Sequence, residues 1–198
     1  RTQKPLHAET LVWALANEWQ QVAQANQLRL HVIIEKRDLF VLGDEKRLRW
    51  AIGNILDNAI KYTPPRPNGS GALTLEIKDE LEGMAVLRVR DNGVGINKKD
   101  LPYVFTRFYR GIPQTKTGDI VRVPGMGQGL YSANQIITAH GGRVSVRSTQ
   151  GVGTAVYIQL PLTSSESLPI TPFGADMEGD TVQLPAEFLV DLEKHNLP

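Results

Sequence analysis

"NILDNAIKYT", residues 54–63, is the stretch on which the reading of this chain turns. At 100° per residue, Asn54, Asn58 and Lys61 fall within about 60° of one another around a helix. Leu48, Ile52, Ile55, Leu56 and Ala59 occupy an arc of about 100° on the far side. A helix through this stretch has an apolar face for a core and a narrow stripe of amides and amine opposite it. The plain reading is an amphipathic helix with a solvated face. Solvated faces usually carry Glu, Lys and Gln, because Asn is a poor helix former. Two Asn one turn apart ask for a partner outside the helix.

Outward from that stretch, the helix extends over 43–62, with Asp44 as its expected N-cap and acids in its first turn. The segment "TPPRPNGSG" (63–71) stops it, since its prolines and glycines suit a loop. Upstream, Leu11, Leu15, Trp19 and Val22 recur at helical spacing within 8–25, 28–35 alternates like a strand, and "LFVL" (39–42) reads as a second, short strand. Downstream, 72–78 and 85–90 read as strands joined by the turn "DELEG". Residues 97–110 read as one or two short helices, and 111–129 as a long Gly- and Pro-containing loop of the kind that forms lids. A helix over 130–140 ends at Gly141-Gly142, and 143–148 and 154–160 are strands around "TQGVG". Hairpins alternating with helices predict an α+β fold, one mostly antiparallel sheet with helices on one face.

Composition bounds the function. The 198 residues are 41% hydrophobic and 22% charged, ordinary for a globular chain. There is no cysteine, which excludes disulfides, thiolate zinc sites and a cysteine nucleophile. No apolar run approaches the roughly 18 residues of a membrane span. The sequence opens on Arg1 and carries no signal peptide, so it is expected to be a piece of a longer protein. Residues 164–198 hold seven acids against Lys194, a net charge of −6, which leaves +7 on residues 1–163. The basic body suits an anionic ligand but is too poor in basic runs for nucleic acid. The chain is therefore expected to divide into a domain at 1–163 and an acidic, Pro-containing tail at 164–198, with one possible short helix at 186–194.

Two further motifs carry chemistry. "DNGVGI" (91–96) is at its simplest a turn after a strand. Its alternative use is a floor for a flat ligand, where glycine lets backbone come close and the Asp91 carboxylate accepts from an amino group. "GMGQGL" (125–130) opens a helix, so its free N–H groups can face phosphate. It fits neither the dinucleotide fingerprint, lacking a strand leading into it, nor a Walker loop, lacking Gly-Lys-Ser/Thr. Asn58 offers a neutral oxygen to a Mg²⁺ shared with phosphates and water, and Lys61 can reach a phosphate as a point charge.

With these pieces in order, the chain resembles the catalytic ATP-binding domain of sensor histidine kinases, members of the GHKL or Bergerat-fold ATPases. "NILDNAIKYT" resembles the N box, "DNGVGI" the first glycine box, "VFTRFYRG" (104–111) the F box and "GMGQGL" the second glycine box. "AHGG", "GVGT" (151–154) and the closing "LPL" (160–162) follow in family order, so the likeness covers about 5–163. The resemblance implies a two-layer Bergerat sandwich whose single mixed, mostly antiparallel sheet is covered on one face by helices.

It also implies roles. Asp91 would accept from the adenine amino group, and Gly93, Gly95 and Ile96 would lie under the base. Asn58 would ligate Mg²⁺ with Asn54 beside it, Lys61 would contact phosphate, and Tyr62 would lie near the adenine. Arg107 or Arg110 would reach the terminal phosphate when the lid closes, with Phe105 in the lid. Gly125, Gly127, Gly129 and Leu130 would hold the phosphates, and Thr154 would support the base pocket. For Tyr62 a boundary core position, and for Phe105 and Phe108 simple lid packing, are the competing readings. Gln128 departs from the family, which is often apolar there.

The implied activity is transfer of the ATP γ-phosphoryl group to a histidine on a separate dimerisation domain, which then serves a response regulator in the cytoplasm. None of His7, His31, His140 and His195 sits in a phosphoacceptor pattern, so the acceptor is expected outside this chain. A hydrolase of the gyrase and chaperone kind would need a Glu where Asn54 stands, and an amide cannot act as a general base. A nucleotide-binding module without chemistry, and a serine-directed anti-sigma-factor-type kinase, are the remaining alternatives.

Overall fold

The structure is a computed structural model that describes residues 3–66, 68–115 and 117–164. Apart from Ser164, the acidic segment 164–198 and its expected short helix lie outside the described residues. Three helices form: α1 (Ala8–Ala25), α2 (Glu45–Lys61) and α3 (Gly129–Ala139). Seven strands accompany them among the described residues: β1 (Lys4–His7), β2 (Arg29–Ile34), β3 (Phe40–Gly43), β4 (Ala72–Leu81), β5 (Met84–Asp91), β6 (Arg143–Thr149) and β7 (Gly153–Pro161). Five make one sheet in the order β2-β4-β5-β7-β6, and β1 pairs with β3 in a separate two-stranded ribbon. The β2–β4 pair is parallel and the other pairs are antiparallel, giving the mixed, mostly antiparallel sheet expected.

The pleat sorts side chains by alternation. Leu73, Leu75 and Ile77 of β4, Leu87 and Val89 of β5, and Ile158 and Leu160 of β7 are buried. They share one hydrophobic core with Leu11 and Leu15 of α1, Leu48, Ile52, Ile55 and Leu56 of α2, and Ala133 and Ile137 of α3. The intervening residues of β4, β5 and β7 point the other way. There Glu76, almost fully buried, pairs with Arg88, whose guanidinium lies 5.9 Å from the Tyr157 ring centroid.

Three expectations need correction. Strand β1 went unforeseen, because four residues with one buried position have no periodic signal. It forms by pairing with β3, and β3 in turn meets the end of β7 through Thr163 N–H donating to the Phe40 carbonyl at 2.8 Å. The expected turn "DELEG" shrinks to Glu82-Gly83. Both have positive φ, 53° and 73°, which suits a two-residue hairpin, so β4 runs on to Leu81 past an irregularity between Ile77 and Asp79. The helices expected in 97–110 reduce to one 3₁₀ turn at Leu101–Tyr103. Turns closed by i to i+3 hydrogen bonds follow it, and Phe108, with φ 63°, breaks the right-handed course.

Candidate functional site

Helix α2 is fixed at its start. The Asp44 side chain accepts from Arg47 N–H at 3.1 Å, as the sequence led one to expect. The Asp44 N–H donates to His140 Nε2 at 3.1 Å, and His140 Nδ1 then donates to the Ile136 carbonyl at 2.7 Å. This ties the end of α3 to the start of α2, and the two helices run antiparallel. The start of α3 therefore comes beside Asn54 and Asn58. A Cβ on Gly129 would stand 3.4 Å from Asn58 Nδ2 and 3.8 Å from the Asn54 carbonyl oxygen. The Asn54 amide nitrogen donates to the Trp50 carbonyl at 3.0 Å. Lys61 forms an ion pair with Asp57 one turn earlier.

The floor is built at the end of β5. Asp91 is 8% exposed and has no cationic side chain bonded to it among the described residues. Burial raises its carboxyl to about 6, against the lowering effect of two backbone N–H donors, Gly93 at 2.9 Å and Thr154 at 3.2 Å. Both donors bond Oδ1, so Oδ2 is left for a ligand. The glycines around it permit close backbone packing. A Cβ on Gly95, where φ is 68°, would lie 2.1 Å from the Thr149 carbonyl oxygen, and one on Gly153 would lie 2.2 Å from that of Asp91. A Cβ on Gly93 would lie 2.2 Å from the Tyr62 carbonyl oxygen, which accepts instead from Val94 N–H at 2.9 Å. The floor is thus clamped to the end of α2 on one side and to the β6–β7 turn on the other. Ser148 Oγ completes the clamp, accepting from Ile96 N–H and donating to the Gly153 carbonyl, with Thr154 Oγ1 at 2.9 Å.

Over this floor runs the segment between the 3₁₀ turn and α3. Phe108 N–H donates to the Gly127 carbonyl at 3.0 Å, and Gly127, φ 69°, has no room for a Cβ against the Tyr109 carbonyl oxygen, 2.6 Å away. Tyr109 Oη donates to Asp100 at 2.8 Å, and Arg110 donates to the Val123 carbonyl. Residues 113–115 and 117–121 fold against each other through Val121 N–H to the Pro113 carbonyl, 2.9 Å, and a bridge between Gln114 and Ile120. No side chain caps α3 at its N-terminus, so its first N–H groups remain open. Floor, α2 stripe, lid and helix start enclose a cavity of about 290 Å³.

Residues 43–164 match the protein family described as histidine kinase-, DNA gyrase B-, and HSP90-like ATPase. The match covers more than half of the chain and includes every candidate site residue. The chain belongs to this family. Sensor histidine kinase WalK of Bacillus subtilis is 36% identical over 125 residues, covering 63% of this chain and 19% of WalK. The mycobacterial sensor histidine kinase MprB is 27% identical with a TM-score of 0.66, over 81% of this chain and 98% of that structure. Full-length ShkA, solved in complex with AMPPNP, shares the fold at 23% identity with a TM-score of 0.68, over 83% of this chain and 32% of that one. The chain spans about a fifth of the length of WalK.

In this ATPase domain, thirteen of the expected site residues line the cavity. They are Asn54, Asn58, Lys61 and Tyr62 from α2 and its cap, Asp91, Gly95 and Ile96 from the floor, Arg110, Gly125 and Gly127 from the lid, Gly129 and Leu130 from α3, and Thr154 from β7. Gly93, Phe105 and Arg107 are not in its wall. Gly93 packs under Tyr62, and the Arg107 guanidinium lies 4.7 Å from the Phe108 ring centroid. Burial pushes the Tyr62 phenol above its ordinary value, against the pull of Arg110 and Lys61, as expected of a half-buried aromatic at the cavity edge. Sequence reasoning missed Asp57, Asp100 and Tyr109, which also line the cavity. Asp57 had a legible signal, its i, i+4 spacing to Lys61. The Asp100–Tyr109 bond, between two turns of irregular backbone, had none.

Proposed function

We propose that this domain binds Mg²⁺–ATP in the 290 Å³ cavity and passes the γ-phosphoryl group to a histidine on a separate domain of the parent protein. The observation that carries the reading is the convergence on one cavity of the α2 amide stripe, the free Asp91 oxygen and the uncapped start of α3. The adenine amino group would donate to Asp91 Oδ2, and the phosphates would meet the open N–H groups of α3 together with Lys61. Lys61 must leave Asp57 to do so. ShkA, a fold neighbour, was solved with AMPPNP, which supports an adenine nucleotide as the ligand.

The donor set suits Mg²⁺. Asn58 would contribute a neutral oxygen, and Asn54, whose nitrogen is held by the Trp50 carbonyl and which also lines the cavity, would offer a second. When bound, the metal would neutralise charge on the transferring phosphate. Asn54 and Asn58 orient the phosphates from α2. Arg110 is at the cavity wall, whereas Arg107 stacks on Phe108, which supports Arg110 as the arginine that reaches the terminal phosphate. Asn54 cannot take a proton from water, and an imidazole acceptor brings its own lone pair, which favours transfer over hydrolysis. The partners would be the histidine-bearing domain and, beyond it, a response regulator, on the cytoplasmic side where ATP is found. Among the described residues no helix is long and apolar enough to cross a membrane.

The test is radiolabelling with ATP. Alone, the chain is expected to bind ATP, to hydrolyse it very slowly and to label nothing. Mixed with the histidine-bearing domain of its parent protein, it should give an acid-labile, base-stable phosphate that depends on Mg²⁺. Asn58→Ala should remove most of the Mg²⁺-dependent part of the affinity measured by calorimetry. Fast turnover by the chain alone would return the hydrolase reading, and acid-stable label on serine the serine-kinase reading.

A further inference from the structure

Trp50 is the largest side chain that α2 leaves to solvent. It is 55% exposed, whereas Leu48, Ile52, Ile55 and Leu56 of the same helix are buried. Around the helix it lies within about 40° of Asn54 and about 6 Å back along the axis, on the same stripe as Asn58 and Lys61. Its carbonyl holds the Asn54 amide. It does not line the cavity, so a nucleotide there does not account for it.

A second aromatic stands out on the lid. Phe108 is 56% exposed and sits at φ 63°, a conformation costly for a bulky side chain and retained here by the Phe108–Gly127 hydrogen bond. Arg107 lies across its ring and 6.0 Å from the ring of Tyr131 in the first turn of α3. Phe108 and Arg107 do not line the cavity either. Tyr131 lies two residues after Gly129, which stands beside the Asn58 side chain and the Asn54 carbonyl. Trp50, one turn before Asn54 on α2, and Arg107 and Phe108 on the lid are thus exposed aromatic and arginine side chains, the residue types that dominate interface energies.

We infer that Trp50 is the docking anchor for the helix that carries the acceptor histidine, with Arg107, Phe108 and Tyr131 closing on its other side. The inference rests on the phosphoryl-transfer reading and adds to it the surface that the acceptor uses. An imidazole must come within bonding reach of the terminal phosphate beside Asn54, and water must be kept away from it. Whatever brings the imidazole therefore covers the surface next to Asn54, and Trp50 is the exposed apolar group there. A helix apolar beside its histidine would bury the indole, and Arg47, exposed one turn before Trp50 on α2, with the exposed Arg107 of the lid, would suit acidic residues on that helix.

Trp13 provides the comparison. It is 44% exposed on α1, a helix that contributes nothing to the cavity wall. In the transfer assay with the separately made histidine-bearing domain, Trp50→Ala should raise the KM for that domain by about tenfold or more. The rate at saturating acceptor and the ATP Kd should stay near those of the unmutated protein. Trp50→Phe should recover most of the loss, and Trp13→Ala should change nothing. A KM for Trp50→Ala within about twofold of the unmutated protein, with transfer intact, would overturn the anchor and leave the transfer reading standing. An unmutated protein that labels no histidine would overturn both. An unchanged ATP Kd in Trp50→Ala shows that the variant is folded, so a raised KM then belongs to docking.

Discussion

The floor of the cavity and its lid are both glycine-rich, yet their glycines do different things. On the floor, Gly93, Gly95 and Gly153 stand where a Cβ would come within 2.1–2.2 Å of a backbone oxygen. In the lid, Gly118 and Gly125 have positive φ and nothing within 4 Å of a Cβ. The floor is a close-packed joint between α2, β5 and the β6–β7 turn, and its glycines are steric necessities. Apart from Gly111, tight against Asp100, and Gly127, tight against the Tyr109 carbonyl where Phe108 is tied down, the lid is turn geometry over open space. It exposes Ile112, Ile120 and Met126, the last at 74%, and is held by a few hydrogen bonds. A rigid floor can hold Asp91 in one orientation, while a lid with few buried contacts can open at low cost.

The largest effect should come from testing that contrast directly. Gly153→Ala places a Cβ against the Asp91 carbonyl and is expected to cost about 3 kcal/mol or more. Gly118→Ala carries the strain of its φ, 89°, with no clash, and should cost about 1–2 kcal/mol. Urea unfolding of both variants measures the difference, and equal losses would erase the distinction between the two regions.

Asp91 offers a sharper test of the floor. Its folded carboxyl, near 6 against the ordinary 3.8, binds a proton more tightly than in the unfolded chain. Its contribution to stability is therefore fully present below about 3.8 and is lost as pH rises through about 6, a swing of roughly 2–3 kcal/mol. Asp91→Asn keeps an oxygen for Gly93 and Thr154 without the buried charge. The variant should gain stability over the unmutated protein at pH 7.5 and gain about half as much at pH 5. Nucleotide binding runs the other way, because an amino donor prefers the ionised carboxylate. ATP affinity should weaken as pH falls below about 6, by up to about tenfold per unit, and Asp91→Asn should lose both that dependence and the preference for ATP over GTP. A flat affinity profile between pH 5 and 7.5, or equal competition by GTP in the unmutated protein, would remove Asp91 from the base contact.

The smallest effect belongs to the lid. Limited proteolysis should cut within 111–128 first, and a nonhydrolysable ATP analogue should slow that cut several-fold. A lid cleaved at the same rate with and without the analogue would mean that it does not close on the nucleotide.

Local periodicity was enough to determined parts of this protein in advance. Ala8–Ala25 was legible to the residue because Leu11 and Leu15 recur at helical spacing, and α2 because its apolar arc and its Asn-Asn-Lys stripe are set by 3.6 residues per turn. The Asp44 cap is likewise a property of a few neighbouring residues. Tertiary structure decided the rest. Strand β1 exists because β3 is beside it, and Phe108 turns left-handed because Gly127, far along the chain, accepts from its N–H. Asp91 is an isolated buried carboxylate with one oxygen free because Gly93 and Thr154, sixty-three residues from it in the second case, both bond the other oxygen. The antiparallel packing of α2 and α3 brings an open helix start to Asn54 and Asn58, and it depends on His140 meeting Asp44 across 96 positions. A pattern of 3.6 or 2 residues reports which face of an element is apolar, whereas contacts between distant residues depend on how the elements pack.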